Sequence, residues 1–437
     1  MMGSEYYETP NIDQLAQEGI VFTNAYAAAS NCAPSRASLL SGKYSPRHGI
    51  YTVSPSARGD KKTRRLIPTP NTKYLSKDEY TIADMFKENG YVTGSFGKWH
   101  IGKDPSEHGI DQNVGGSGRG NPGRNGYFSP YNIDFIKDGP DGEYLTDRLT
   151  DEAIAFVDQN KEKPFFMYLP YYTVHTPIMA KQELLKKFQN IEGSPGQNNP
   201  EYAAMIYSMD QNVGRLLSRL NELQLESNTL IVFTSDNGGI RDISTQDPLR
   251  AGKGSYYEGG LRVPLIVKHL DHIKSGRSCD IQVSNMDFFP TFKNYINADA
   301  DMEGLDGTDI TPLFHGDEIE NRDLFWHFPI YLQAYNPKTD DGRDPLFRTR
   351  PGSVIISENW KLHEYFEDGS LELYDLSRDI GERNNLIDSE SDRAAALLRK
   401  LERWRYQMKA PVPVEKNPFF DAEYEKEQIL MTATESR

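Results

Sequence analysis

Apolar residues recur along this chain at two spacings, and the two spacings take turns. PNIDQLAQE reads as a helix that Thr9 and Pro10 open and Gly19 closes, and IVFTNAY follows it as an extended segment. TIADMFKEN predicts a helix with Thr81 as N-cap and Gly90 as its stop, ahead of a buried strand in YVTGSF. The unit recurs twice more. DEAIAFVDQN precedes the strand FFMYLP, and a long helix from about Glu201 to Gln224 precedes TLIVFTS. Within that long helix Met205, Met209, Val213, Leu216, Leu217 and Leu220 return at three- and four-residue steps, the stripe of a helix packed on a core. Helix and strand in alternation predict an α/β layered domain on a largely parallel sheet.

NVGGSGRGNPGRNG is too irregular for a repeat and reads as a surface loop. AYNPKTDDGRDP, rich in Pro, Gly and Asp, marks a break, and beyond it the texture changes. SVIISENWKLHEYF and LELYDL predict short antiparallel strands, and ESDRAAALLRKLERWRYQM an amphipathic closing helix. The expected division is a large domain over residues 1–344 and a small C-terminal α+β domain over residues 345–437.

Composition narrows the function classes. A chain of 437 residues holds a large core and a smaller domain without staples. Its 64 acidic against 49 basic residues give a net charge of −15, which argues against nonspecific nucleic-acid binding. Two cysteines make no disulfide framework, and Cys279, in SGRSCDIQV, reads as a strand-edge passenger. No run approaches the roughly 18 apolar residues of a membrane span. DKKTRR, residues 60–65, is expected to be a solvated loop, with contact to a polyanionic glycan as the alternative. Trp326 and His327 are expected to be packing, with a sugar subsite as the alternative.

The candidate chemistry gathers where the predicted strands end. YVTGSF gives way to GKWH, FFMYLP to YYTVHTP, and TLIVFTS to DNGG. Ligands of open α/β sheets bind outside the carboxyl ends of strands, so Lys98, His100, His175, Asp236 and Asn237 are expected on one rim. Cys32 joins them from NCAPSRASLLSG, where Pro34 suits the first helical position and Gly42 the residue past the end. That places Cys32 at or just before a helix N-terminus, with Arg36 one turn in. Asp236 and Asn237 are hard oxygen donors suited to Ca²⁺ or Mg²⁺, while Lys98, His100, His175 and Arg36 can hold an oxyanion.

CAPSRASLLSG resembles the signature of the type I sulfatases, in which the cysteine of Cys-x-Pro-Ser-Arg is oxidised to Cα-formylglycine. GKWHIG, VHTP, SDNGG and LRAGKGSYYEGGLRVP match further blocks of that family in order, and TPNIDQLAQEGIVFTNAY matches the segment before the cysteine. The resemblance runs from Glu8 to about Asn385. It implies an alkaline-phosphatase-like α/β/α sandwich with a smaller C-terminal domain of antiparallel sheet plus helix. It also implies hydrolysis of sulfate esters, of a sulfated carbohydrate above all. Carried over by position, the hydrated aldehyde derived from Cys32 is the nucleophile and Arg36 steadies it. His100 takes the proton that lets sulfate leave. Lys98, His175 and Lys253 hold sulfate oxygens, and His175 or Lys253 protonates the leaving oxygen. Asp236, Asn237 and an oxygen of the matured Cys32 hold a divalent cation, Ca²⁺ by analogy and Mg²⁺ as the alternative. The implied partners are a sulfated glycan or other sulfate ester and a formylglycine-generating maturation enzyme, with no nucleic acid and no membrane span. The implied location is periplasmic or extracellular.

One departure stands out. In that family the first strand ends in adjacent aspartates, both metal ligands, upstream of the TPNID segment. Only MMGSEYYE precedes Thr9 here, so the chain is expected to start after that strand, with Glu5, Glu8 and Asp13 as poor substitutes. Two other readings stay open: phosphonate or phosphate monoester hydrolysis on the same fold, and a non-catalytic remnant that binds sulfated ligands without turnover.

Overall fold

Helix α1 (Pro10–Glu18) begins on a proline, whose missing N–H costs nothing in a first turn, and hands over at Gly19 to strand β1 (Ile20–Phe22). The computed structural model describes residues 3–300 and 303–434. The cysteine helix is α2 (Cys32–Ser41). In α3 (Ile82–Glu88) the Thr81 hydroxyl accepts from the Asp84 N–H while the Asp84 carboxylate accepts from the Thr81 N–H, a closed capping box. The other elements that frame the site are β2 (Val92–Phe96), β3 (Gln112–Val114), α4 (Leu145–Asn160), β4 (Phe165–Tyr168), α5 (Pro200–Glu222), β5 (Ile231–Thr234), β6 (Leu265–Lys268), β7 (Arg277–Cys279) and α6 (Phe288–Tyr295).

These strands form two sheets rather than one. The first has the order β3-β2-β4 and is wholly parallel. The second has the order β5-β6-β1-β7, in which β6 runs antiparallel to both of its neighbours. The parallel expectation therefore holds for the first sheet, for the β1–β7 pair and for the short pairing of Ala25–Tyr26 with Val283–Ser284. Among the described residues β4 pairs with β2 alone and β5 with β6 alone, and their other edges border one cavity of about 1410 Å³. Every residue of β4 and β5 is half-buried, whereas all four of β6 are buried.

The long helix departs from expectation for the same reason. Met205 and Leu220 are buried, but Met209, Val213, Leu216 and Leu217 are only half-buried and line that cavity. An apolar stripe predicts burial only where something covers it.

The small sheet has the order β8 (Leu324–Phe328), β9 (Gly352–Ser357), β10 (Trp360–Tyr365), β11 (Leu371–Asp375), antiparallel throughout. It draws β8 from upstream of residue 345, because Leu324–Phe328 pairs along the whole of β9. Helix α7 (Ser391–Met408) lays Leu397, Leu401 and Trp404 over Ile355, Leu362 and Leu373. Lys361 on β10 reaches across to Glu258 at 2.9 Å and Glu382 at 3.0 Å, all three fully buried, and so ties this sheet to the large domain. Trp326 donates to the Ala27 carbonyl at 2.9 Å and His327 contacts Ser353 and the Pro411 carbonyl, so both are packing residues. In DKKTRR, Asp60, Lys61 and Lys62 are exposed, yet the segment has local partners. Lys61 and Lys62 lie over Phe419 and Tyr424, and Arg65 pairs with Glu425 at 3.0 Å.

Candidate active site

Cys32 is the first residue of α2, after Asn31 in extended conformation, and all ten residues of the helix are buried. Pro34 occupies the third helical position rather than the first, where its missing N–H is still one the helix does not need. Gly42 closes the helix at φ 68°, its N–H bonded to the Ser38 carbonyl at 2.8 Å.

Arg36, one turn into the helix, gathers the ends of three strands. Its Nε donates to Asp236 Oδ2 at 2.7 Å, beyond β5; its Nη1 donates to the Lys98 carbonyl at 2.6 Å, beyond β2; the same nitrogen reaches the Tyr168 hydroxyl of β4 at 3.2 Å. Lys98 Nζ lies 3.9 Å from the same Asp236 oxygen. Lys253 arrives on a loop fixed by its own N–H to the Gly239 carbonyl and by the Gly254 N–H to the Ser30 carbonyl, two residues before the cysteine. His100 and His175 both favour the Cys32 thiolate over the thiol. His175 Nδ1 is 2.8 Å from the Thr176 carbonyl, which can only accept, so the proton is on Nδ1 and Nε2 is left to act.

Cys32, Arg36, Lys98, His175, Lys253, Asp236 and Asn237 all line the cavity, and His100 lies beside Cys32 and Lys98. Two contributors escaped sequence reasoning. Tyr168 ends an apolar strand and carried only its position as a signal. Gly120 presses against the His100 ring, leaving no room for a Cβ, and its signal was the glycine-rich run itself. His100 adopts φ 71°, a left-handed conformation that the neighbouring GKWH residues do not foreshadow.

The electrostatics favour an anion at residue 32. Burial works against a thiolate, yet Lys253 and Lys98, with the two histidines, hold the Cys32 thiol well below the ordinary thiol range. Burial and the surrounding cations push Lys98 and His100 down. Asp236, despite burial, is held below the usual carboxylate range by Arg36.

The donor set is less suited to a metal. Asn237 Oδ1 is buried with no hydrogen-bond partner, as a ligand oxygen would be. Asp236, however, is engaged by Arg36, and Ca²⁺ takes about 6–8 oxygens. Among the described residues no group of three or more His, Cys, Asp or Glu could hold a metal ion. Glu8 pairs with Lys187, Glu5 is exposed, and Asp13 accepts from the Thr9 hydroxyl, so none of the three reaches the site. Asp236, Asn237 and Cys32 alone do not fit a calcium ion.

The Sulfatase family model matches residues 1–298, and the model of the N-sulphoglucosamine sulphohydrolase C-terminal region matches residues 252–407. The chain belongs to the sulfatase family, hydrolases of sulfuric esters with an alkaline-phosphatase-like α/β fold and a smaller C-terminal sheet domain. It is 32% identical to a sulfatase of Formosa agariphila, over 94% of this chain and 86% of the relative. It is 30% identical to the N-acetylgalactosamine-6-sulfatase of Canis lupus familiaris, over 76% of this chain and 66% of the relative. The solved structure of Ps i-CgsB in complex with k-i-k-neocarrahexaose superposes with a TM-score of 0.75 at 30% identity, covering 99% of this chain and 93% of that one.

Proposed function

We propose that this chain hydrolyses sulfate monoesters of a carbohydrate through a nucleophile made from Cys32. The observation that carries the reading is Cys32 at the head of a buried helix, lining one cavity with Lys98, Lys253 and His175, where these groups and His100 favour an anion at residue 32. Two ammonium groups and two imidazoles around one small residue suit an oxyanion, and the lysines can each meet an oxygen of a tetrahedral sulfate. The carbohydrate assignment draws on two similar proteins, one solved with a neocarrahexaose and one named for N-acetylgalactosamine.

Matured to formylglycine and hydrated, residue 32 would supply two geminal hydroxyls, one to attack sulfur and one whose deprotonation returns the aldehyde and expels sulfate. Lys98 and Lys253 neutralise the sulfate oxygens. His175, with Nδ1–H held by the Thr176 carbonyl, would present Nε2 towards the leaving oxygen; either the doubly protonated His175 ring, through Nε2–H, or the Lys253 ammonium would give that oxygen its proton as the sulfur–oxygen bond breaks. His100 takes the proton of the second hydroxyl. Arg36 fixes the helix head against Asp236 and Lys98. Maturation calls for a formylglycine-generating enzyme, and export to the periplasm or beyond goes with sulfated glycan substrates. No helix among the described residues is long and apolar enough to cross a membrane.

The test is to co-express the chain with a formylglycine-generating enzyme and measure sulfate released from sulfated oligosaccharides, with an aryl phosphate as comparison. Sulfate release that Cys32→Ala abolishes supports the reading; faster turnover of the phosphate overturns it in favour of a phosphate or phosphonate monoester hydrolase.

A further inference from the structure

Residues 334–345, AYNPKTDDGRDP, read in the sequence as a break, but in the fold they are stitched to the loop that carries Lys253. Arg250 donates to the Asp341 carbonyl at 3.2 Å and to the Gly342 carbonyl at 3.0 Å, and Asn336 donates to Asp242 Oδ1 at 2.6 Å. Arg348 completes the join. Its Nη1 donates to the Lys253 carbonyl at 2.8 Å and its Nε to the Gln333 carbonyl at 2.9 Å. Gly254, at φ 87°, makes room for that guanidinium, since a Cβ there would stand 2.5 Å from Arg348 Nη1.

On this support stands an exposed aromatic ring. The Arg348 guanidinium carbon lies 3.4 Å from the centre of the Tyr335 ring, and the Tyr335 N–H donates to Asp340 Oδ2 at 2.6 Å, yet the residue is 49% exposed. Tyr335 is close enough to act on the charges of both Lys253 and Arg58. Arg58 comes from a third loop tied to the same place: its N–H donates to the Tyr331 carbonyl at 3.3 Å, and the Gly59 N–H donates to Gln333 Oε1 at 3.1 Å. Of its five N–H groups one goes to the Ser54 carbonyl at 2.9 Å, and among the described residues no carboxylate pairs with it. Burial and the neighbouring Arg348 push it down, the response of a half-buried cation without a counter-charge.

We propose that Tyr335 and Arg58 form a sugar subsite beside Lys253, in which the ring packs on the C–H face of the substrate's sugar and Arg58 pairs with a second sulfate, so that the preferred substrate is a glycan sulfated at two positions. The alcohol half of a sulfate ester must lie next to the group that holds its sulfate. There an aromatic ring held through one face offers an apolar body to a sugar. A guanidinium meets two oxygens of a tetrahedral oxyanion at once, and the second sulfate supplies the charge that Arg58 lacks. The proposal rests on the sulfatase reading, since it takes Lys253 as a residue that holds the sulfate to be cleaved.

The experiment titrates the full chain carrying Cys32→Ala, which binds without turnover, by calorimetry with a galactose disaccharide bearing one sulfate and with its disulfated isomers. The tightest disulfated isomer is expected to bind at least about tenfold more tightly than the monosulfated sugar, the effect of one charge-assisted contact. Arg58→Gln should remove that advantage while changing monosulfate affinity by less than about twofold, and Arg58→Lys should keep part of it. Tyr335→Ala should weaken both ligands about tenfold, whereas Tyr335→Phe keeps the ring and the affinity. Melting temperatures equal to that of the parent show that each variant is folded. No binding of either sugar, equal affinity for the two, or a disulfate advantage that survives Arg58→Gln overturns the subsite. Unchanged affinity in Tyr335→Ala overturns the part given to the ring. Because binding is read without turnover, failure here leaves sulfate release by the matured chain untouched, and failure of sulfate release is seen in the separate activity assay.

Discussion

Arg36 on α2 and Asp236 beyond β5 form a 2.7 Å ion pair with side chains only 7% and 18% exposed. The pair locks the head of the cysteine helix to the end of a strand from a different part of the chain. Losing one partner leaves the other charge in a poorly solvated setting. Arg36→Ala is expected to cost about 3 kcal/mol of stability by urea denaturation and to abolish sulfate release. A loss below about 1 kcal/mol would mean that solvent reaches Asp236 freely.

Lys253 is placed to act on the reacting group rather than on the fold, since its loop is held by main-chain bonds. Lys253→Ala is therefore expected to lower kcat by about 10²–10³ with an unchanged melting temperature, the cost of one oxyanion donor. A rise in KM with kcat intact would assign it to ground-state binding instead.

Gly120 sets the His100 ring by contact. Gly120→Val is expected to displace the ring and lower kcat at least about tenfold, while chemical denaturation shows less than about 1 kcal/mol lost from this loop. Wild-type kinetics in this variant would free His100 from that constraint.

Before maturation, Cys32 and Cys279 should titrate in opposite directions. Lys253, Lys98 and the histidines overcome burial and hold Cys32 down, whereas burial pushes Cys279 up. Thiolate absorbance should thus already be present below the ordinary thiol range and vanish in Cys32→Ser. With the folded value below the unfolded one, the thiolate's contribution to stability is complete above the unfolded value and lost as pH falls through the folded one. A single titration at the ordinary thiol value would contradict this charge field.

Much of this site is legible in the sequence because its chemistry is local to strand ends. GKWH, VHTP and SDNGG each follow an apolar run, and CAPSR opens a helix that Gly42 closes. The α5 stripe is legible as periodicity, but whether Met209 and Val213 are covered depends on which strand lies beneath them, a long-range fact. The same holds for β8, which joins a sheet whose other strands begin at Gly352, and for DKKTRR, whose charges are met by residues 419–425. Gly120 reads as loop flexibility until His100 is seen against it.

The central claim is that Cys32 is the precursor of the nucleophile, and mass spectrometry of the residue-32 peptide from sulfate-releasing protein tests it most directly. The account predicts that active preparations carry formylglycine at position 32, that activity scales with the converted fraction, and that Cys32→Ala is folded but inactive. Full sulfate release from protein whose residue 32 is unmodified cysteine would contradict it.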